Sequence, residues 1–396
     1  YNSYCMDVRF EKKVLIRDSC STGQGSGFFV SQDGYIATNG HVVSVDPRDT
    51  SIYTAFAYAI AGDTSLINFL AIKAGFKESD VPTEASQTEA LAIVADKLYE
   101  LDESRFSTSN NIQNLLVALG SQKPDTEKLQ SDTQARVKHE SDTTIRPATV
   151  EATDFRLIDG IDGFNNSDVA IIKVEGKNYP IVQLGSIDDI TQGSELSILG
   201  FPGNANENGI VDSETSMVTL TTGKVSSIKK ADGSDNRLVE TDTTIGHGNS
   251  GGPAFGSTET VIGIATYTLD GSGSGDGVYN YVRDIQDLVD LADDSQITFD
   301  KNSETQSKWK QGIEYFYDAH YSSAIQNFAK VKSLYPLHNK VAQYTTTANK
   351  RISSGEDVQD FPVALVSLAS VILLVGSVGG LIMIVRHNKH HKLYKD

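Results

Sequence analysis

The chain has 396 residues, enough for two or three domains of ordinary size. Its formal net charge of −18 argues against a nucleic-acid partner and suits a soluble, self-repelling surface. That acidity belongs to the body of the chain, because the stretch from Arg386 to Asp396 carries four basic residues against one acid.

The chain opens at Tyr1 rather than Met, which predicts a cleaved signal peptide upstream, an uncleaved anchor being the alternative. Cys5 and Cys20 are the only cysteines. An even pair in an exported region reads as a disulfide that ties the N-terminal arm to the domain behind it, two free thiols being the alternative. Short β-branched or aromatic runs bounded by Gly, Asp and Asn follow at Gly27–Val30, Gly34–Thr38, Asp168–Val174, Ser194–Leu199 and Val261–Thr266. That pattern predicts a mainly β fold, a barrel or a sandwich.

The 126 residues between His41 and Asp168 exceed what such a fold needs. Ser65–Phe76, Glu84–Leu101 and Asn110–Leu119 show helical periodicity; Leu91, Val94, Ala95, Leu98 and Leu101 share one face, with Thr83 as N-cap and Pro82 just outside. No strand is expected before about Ala148, so residues 50–147 are read as a helical insertion. Farther on, Phe361–Val385 is a run of 25 residues without a charge. As a helix it would be about 37 Å long, enough to cross a bilayer. The basic residues that follow, Arg386, Lys389, Lys392 and Lys395, place the tail 386–396 in the cytoplasm and the rest outside by the positive-inside rule. The histidines are scattered, and neither a metal nor a cofactor is expected.

Three motifs carry chemistry. Thr38-Asn39-Gly40-His41 closes one apolar run, Ser167-Asp168 opens another, and Gly246-His247-Gly248-Asn249-Ser250-Gly251-Gly252-Pro253 stands between two more. A serine hydroxyl attacks only when an imidazole takes its proton and a carboxylate holds that imidazole in the right tautomer. The last motif resembles the loop that a chymotrypsin-type serine protease builds around its nucleophile, and the order His, Asp, Ser is that of the same fold. Together with Gly25-Ser26-Gly27-Phe28-Phe29-Val30, Ser167–Val174, Leu199–Gly203 and Thr222–Ser227, the chain resembles the HtrA/Deg branch of trypsin-like proteases over roughly residues 14–43, 148–228 and 240–290.

The resemblance implies a two-barrel chymotrypsin-like domain over residues 1–295, with His41 and Asp168 on the first barrel and Ser250 on the second. It assigns Ser250 as nucleophile, His41 as general base, Asp168 as its orienting partner, and the Gly248 and Ser250 amides as oxyanion hole. Asp154, Asp159 and Asp162 are rivals to Asp168, but only Asp168 stands directly before a long apolar run. His247 is expected to point to solvent or to substrate. The substrate pocket falls on Thr244 and Ile245; the neutral Thr244 predicts a preference for small or medium aliphatic side chains. Asn249 replaces the aspartate on which zymogen activation depends, so loop rearrangement is the expected control.

Within a helical module over 303–354, residues 305–338 resemble one tetratricopeptide repeat, and Asn339–Ile352 could supply a further helix: Gly312, Tyr315, Ala324, Phe328 and Pro336 match the repeat, while Lys308, Gln311 and Val331 depart from it. The small Gly312 and Ala324 would bring two helices together, and Pro336 would stop the second. One repeat cannot bury its apolar face alone, so it must dock on the protease domain, on its own extra helix or on a partner. These readings make the protein a membrane-anchored extracytoplasmic serine endopeptidase acting on protein or peptide substrates and tied to the bilayer by 361–385. A homo-oligomer or protein partner would bind through the insertion or the repeat-like module. The alternative is a scaffold or sensor in which proteolysis is latent.

Overall fold

The computed structural model describes residues 1–44, 48, 51–52, 54–55, 58, 63–77, 105–119, 144–155, 167–202, 217–230, 237–270 and 278–358. These fall into two compact units, one made of Tyr1–Ser307 with Leu334–Leu337, the other of Lys308–Ser333 with the residues from His338 onward.

The first unit begins with a hairpin, β1 (Asn2–Phe10) and β2 (Lys13–Gly23), in which Cys5 lies directly opposite Cys20. Their sulfurs are bonded, with the Cα atoms 4.1 Å apart. The N-terminal arm is therefore itself part of the sheet, and the disulfide staples a hairpin rather than an arm to a separate domain. Next come β3 (Phe28–Phe29), β4 (Tyr35–Thr38), the single helical turn α1 (Gly40–Val43) and helix α2 (Ser65–Lys73). α2 lies within the segment Ser65–Phe76 and packs Leu66, Ile67, Leu70 and Ala71 against Met6, Val8, Phe10 and Ile16 of the hairpin.

Where sequence periodicity predicts a helix over Asn110–Leu119, the chain forms strand β5 (Phe106–Ala118), paired with β1 and with β6 (Ile145–Asp154). The apolar residues Leu115–Ala118 are contiguous, and such a run suits a covered strand as well as a helix. Pairing with β1 decides the matter, since Ser, Thr and Asn at 107–111 form helices poorly. The insertion is thus not wholly helical; Glu84–Leu101 lies outside the described residues.

β7 (Val169–Val174) completes a seven-stranded sheet of order β2-β1-β5-β6-β7-β4-β3. The first half is accordingly a sheet and not the closed barrel implied by the resemblance: among the described residues its end strands do not pair. The two-residue β3 gives the hairpin at the far end little to bond to. The second half does close. β8 (Glu195–Gly200), β9 (Thr219–Lys230), β10 (Arg237–Thr241), β11 (Pro253–Phe255), β12 (Val261–Asp270) and β13 (Val278–Asp284) form a barrel of order β10-β13-β12-β11-β8-β9. Leu196, Ile198, Val225, Val239, Ile245, Ile262 and Val282 fill it. Helix α3 (Ile285–Asp294) follows, starting at Asp284, whose carboxylate accepts the Gln286 amide. The seam between sheet and barrel is apolar, with Phe28, Val30, Val169 and Ile171 meeting Val261, Ile264, Ile285 and Leu288.

The second unit is formed by helices α4 (Glu304–Tyr317, from Lys308 on), α5 (Tyr321–Leu334) and α6 (Val341–Ser353). A Cβ on Gly312 would come within 2.6 Å of the Phe328 ring, so glycine lets α4 and α5 close on each other. Among the described residues no helix is long and apolar enough to cross a membrane, and the predicted span Phe361–Val385 lies outside them.

The disulfide closes a loop of sequence separation 15, for which a cross-link stabilises by about 3 kcal/mol. Cys5→Ser combined with Cys20→Ser is expected to lower amide hydrogen-exchange protection across Asn2–Gly23 by that amount. Protection in Val261–Asp270 should not change; equal loss in both regions would show that the bridge stabilises the whole unit instead.

Candidate active site

β4 runs straight into the α1 turn, which lifts His41 out of the sheet at its end. The strand beside it, β7, is preceded by Asp168, so strand pairing alone brings the two residues together. Asp168 is buried and takes φ +48, in the left-handed region. Its carboxylate holds His41 twice: Oδ1 accepts the His41 backbone N–H at 2.9 Å, and Oδ2 lies 2.8 Å from Nδ1. The Asp168 carbonyl in turn accepts the Gly40 amide at 3.1 Å and the Asn39 side-chain amide at 2.8 Å. The rival Asp154 is engaged by Ser167 Oγ instead, and Asp159 and Asp162 lie outside the described residues.

Ser250 comes from the barrel. In the turn Gly246–Asn249 the Asn249 amide donates to the Gly246 carbonyl at 2.9 Å, and Gly248 at the third position takes φ +98. A positive φ there is the mark of a type II turn and requires glycine. Among the described residues neither the Gly248 nor the Ser250 amide donates to another backbone group. The Ser250 hydroxyl donates to the Thr266 carbonyl at 3.0 Å, and among the described residues no hydrogen bond joins it to His41. Thr266 lies in β12 just beyond the part paired with β11.

Sequence reasoning passed over two residues that join the halves and one that packs on His41. Ser26 Oγ donates to the Gly248 carbonyl at 2.6 Å and accepts the Phe201 amide at 2.9 Å, while its own amide donates to the Ser250 carbonyl at 2.7 Å. Asn39, fully buried, also donates to Thr266 Oγ1 at 3.1 Å. Phe155 packs edge-on to His41 with ring centroids 6.3 Å apart, against a Gly40 that leaves it room. In the sequence Ser26 stands out only as part of the Gly25–Val30 segment that carries the family resemblance.

Of the two residues assigned to the pocket, Thr244 is exposed, whereas the Ile245 side chain belongs to the barrel core, since alternate residues here face opposite ways. His247 is exposed. The Asn249 side chain is buried, and its Oδ1 has no hydrogen-bond partner. Among the described residues no group of His, Cys, Asp or Glu could hold a metal ion.

Residues 108–264 match the trypsin-like peptidase domain, a segment that includes Asp168 and Ser250 but begins after His41. A DegP-like periplasmic serine endoprotease of Pseudomonas fluorescens is 33% identical over 114 residues, 28% of this chain and 22% of the relative. The chloroplastic Protease Do-like 5 of Arabidopsis thaliana is 34% identical over 137 residues, 33% of this chain and 39% of the relative. A solved HtrA-type protease, AlgW with a decapeptide, aligns over 74% of this chain and 63% of its own at 16% identity, with a TM-score of 0.36. The chain spans well under half the length of the curated relatives it matches; its residues 108–264 match a trypsin-like peptidase domain, and the relatives are DegP-like and Do-like proteases.

Proposed function

We propose that the protein is a serine endopeptidase that cleaves protein or peptide substrates through an acyl-enzyme. The observation that carries this reading is the double hold of Asp168 on His41 beside a turn that offers the Gly248 and Ser250 amides. An extended substrate adds to the edge of β12 beyond Thr266, where main-chain groups are free of β11. Ser250 then leaves the Thr266 carbonyl by rotation about χ1 and donates to His41. The hydroxyl attacks the scissile carbonyl as His41 takes its proton, and the two amides hold the oxyanion. His41 returns the proton to the leaving amine, and water releases the acyl group by the same route. Asp168 keeps its charge and steadies the imidazolium.

The neutral Thr244 fits small or medium aliphatic side chains at the cleaved bond. The Cys5–Cys20 disulfide, the periplasmic relative and the basic tail after Phe361–Val385 support a catalytic unit outside the cytoplasm, anchored by a single span. Unfolded or membrane-proximal proteins are then the substrates within reach. The resting bond from Ser250 to Thr266 favours a second reading, in which the site is latent until a partner or substrate rearranges it.

A fluorophosphonate probe separates the two. Full-length protein in detergent is expected to be labelled and to cleave an unfolded protein. Ser250→Ala should lose both, and Asp168→Asn should slow turnover about 10⁴-fold. Folded wild-type protein that neither labels nor cleaves would sink constitutive activity and leave the latent site.

Ser26→Ala provides a separate check on the seam. It leaves the Gly248 carbonyl and the Phe201 amide without their partner, at a cost of about 1–3 kcal/mol for each buried group. The expected result is a kcat about tenfold lower with KM little changed; an unaltered kcat would mean that the oxyanion turn holds its shape without Ser26.

A further inference from the structure

The last described residues of the second unit fold back on it. After α6, Gly355 takes φ +76 and the Glu356 amide donates to the Arg351 carbonyl at 3.0 Å. Glu356 and Arg351 also pair through their side chains at 2.5 Å. The Asp357 carboxylate accepts the Ser322 amide at 3.0 Å and the Ser322 hydroxyl at 2.5 Å, and the Val358 amide donates to the Ala319 carbonyl at 2.9 Å. Those Ser322 bonds hold the Asp357 carboxyl below its usual range. Asp357 is thereby fixed on the start of α5 and Val358 on the α4–α5 turn, Asp318–His320.

The uncharged run begins at Phe361, three residues later. Consecutive Cα atoms are about 3.8 Å apart, so Phe361 lies within about 11 Å of Val358 whatever path the chain takes. The head-group layer on each side of a bilayer is about 5–8 Å thick. If Phe361–Val385 spans the membrane, Val358 and the α4–α5 turn bonded to it lie within reach of the head-group layer. The side chains at that end suit it: Tyr317 is 73% exposed, Val358 50% and Tyr315 37%. A tyrosine has an apolar ring and a polar tip and is enriched at membrane–water boundaries. Phe316 backs this surface, with its ring centroid 5.6 Å from that of Tyr317 and 5.4 Å from that of Tyr321. The nearby charges are Glu314, Asp318, Glu356 and Asp357 against Lys350 and Arg351, with Arg351 committed to Glu356. That balance offers nothing to anionic lipid.

We propose that this end of the second unit is a lipid-facing surface, in which the α4–α5 turn with Tyr315, Tyr317 and Val358 seats in a zwitterionic head-group layer. The proposal rests on the reading of Phe361–Val385 as a span. It makes the helical unit a pedestal clamped to its anchor by Asp357, rather than a bead on a flexible tether.

The chain has one tryptophan, so Trp309→Phe with Tyr317→Trp gives a single reporter at the surface. The full-length variant is reconstituted into phosphatidylcholine vesicles, with and without lipid brominated high on the acyl chains. The expected result is blue-shifted emission, quenched about twofold by the brominated lipid. Adding Asp357→Ala should at least halve that quenching while the protein still floats with the vesicles. Protein that floats but emits as in water overturns the proposal and leaves the anchor standing; protein that does not float overturns the anchor and the proposal with it. Quenching confined to phosphatidylglycerol vesicles would overturn the choice of lipid, and quenching indifferent to Asp357→Ala would overturn the clamp. Should Trp309→Phe loosen the unit, Tyr317→Cys carrying an environment-sensitive fluorophore gives the same readings.

Discussion

The Asp168 carboxylate grips one residue at two points, the amide and the ring of His41, and most of the active-site geometry follows from that grip. A single bond to Nδ1 would let the imidazole swing; the second bond, to the backbone, fixes the turn from which the ring projects. The arrangement has a cost. Burying a carboxylate removes it from water, a penalty of several kcal/mol, and a non-glycine residue at φ +48 is strained by about 1–2 kcal/mol. Both are offset locally. The Asp168 amide donates to Asp154, its carbonyl accepts from Asn39 and Gly40, and its carboxylate takes the two bonds from His41. Asn39 is therefore structural support for the base, although it touches neither the imidazole nor the nucleophile through its amide.

The second constraint is registration across the seam. His41 and Ser250 stand on different halves of the first unit, so their spacing is only as firm as the contacts between sheet and barrel. Apolar packing supplies cohesion without direction, since such contacts are not directional. Direction comes from Ser26, which bonds the nucleophile loop through its amide and its hydroxyl, and from Thr38, whose hydroxyl donates to the Ser26 carbonyl at 2.7 Å. Gly251 has to be glycine here: a Cβ would collide with the Ser26 carbonyl and with Thr38 Oγ1, and its φ is +88. With the backbone held so closely, the Ser250 hydroxyl is the part of the site left with an inexpensive rotation, and its rest position on Thr266 is a side-chain matter rather than a misfolded loop.

How much of this was legible in the sequence depended on whether a feature is local. The strands beside His41 and Asp168 are short, β-branched and bounded by turn residues, and they were placed within a residue or two; β10 and β11, on either side of Ser250, were not read from the sequence, and β12 runs four residues past the expected end at Thr266. The motifs around the three residues are contiguous, so the site could be assigned. β5 was misread because its middle, Asn110–Gln113, is exposed and carries no alternation, while Asn110 at φ +56 interrupts the strand where its register with β1 shifts. Periodicity fails at such irregularities. The β1–β2 hairpin was missed as strands and seen only as two cysteines, because what defines it is a cross-strand pair. Ser26 was invisible for the same reason: its role exists only once Gly248 is brought to it from more than two hundred residues away. The closed form expected for the first half came from resemblance alone, and this chain departs from it by adding a long hairpin at one end of the sheet.

The helical unit covers the apolar face of its first two helices with a helix of its own. Two paired helices leave an apolar face exposed, and repeats usually cover it by stacking. Here α6 provides the cover: Val341 and Tyr344 close over Phe328, Trp309 and Phe316, with the Tyr344 ring centroid 5.4 Å from that of Trp309 and 5.0 Å from that of Phe316. His338 stacks on the other side of this cluster at 4.2 Å from Trp309, and burial pushes its pKa down, which keeps a charge out of the aromatic core. The aromatics that complete the core are Trp309, Phe316, Phe328 and Tyr344; Tyr317, although exposed, hydrogen-bonds Tyr344, and Tyr315 lies edge-on to His320.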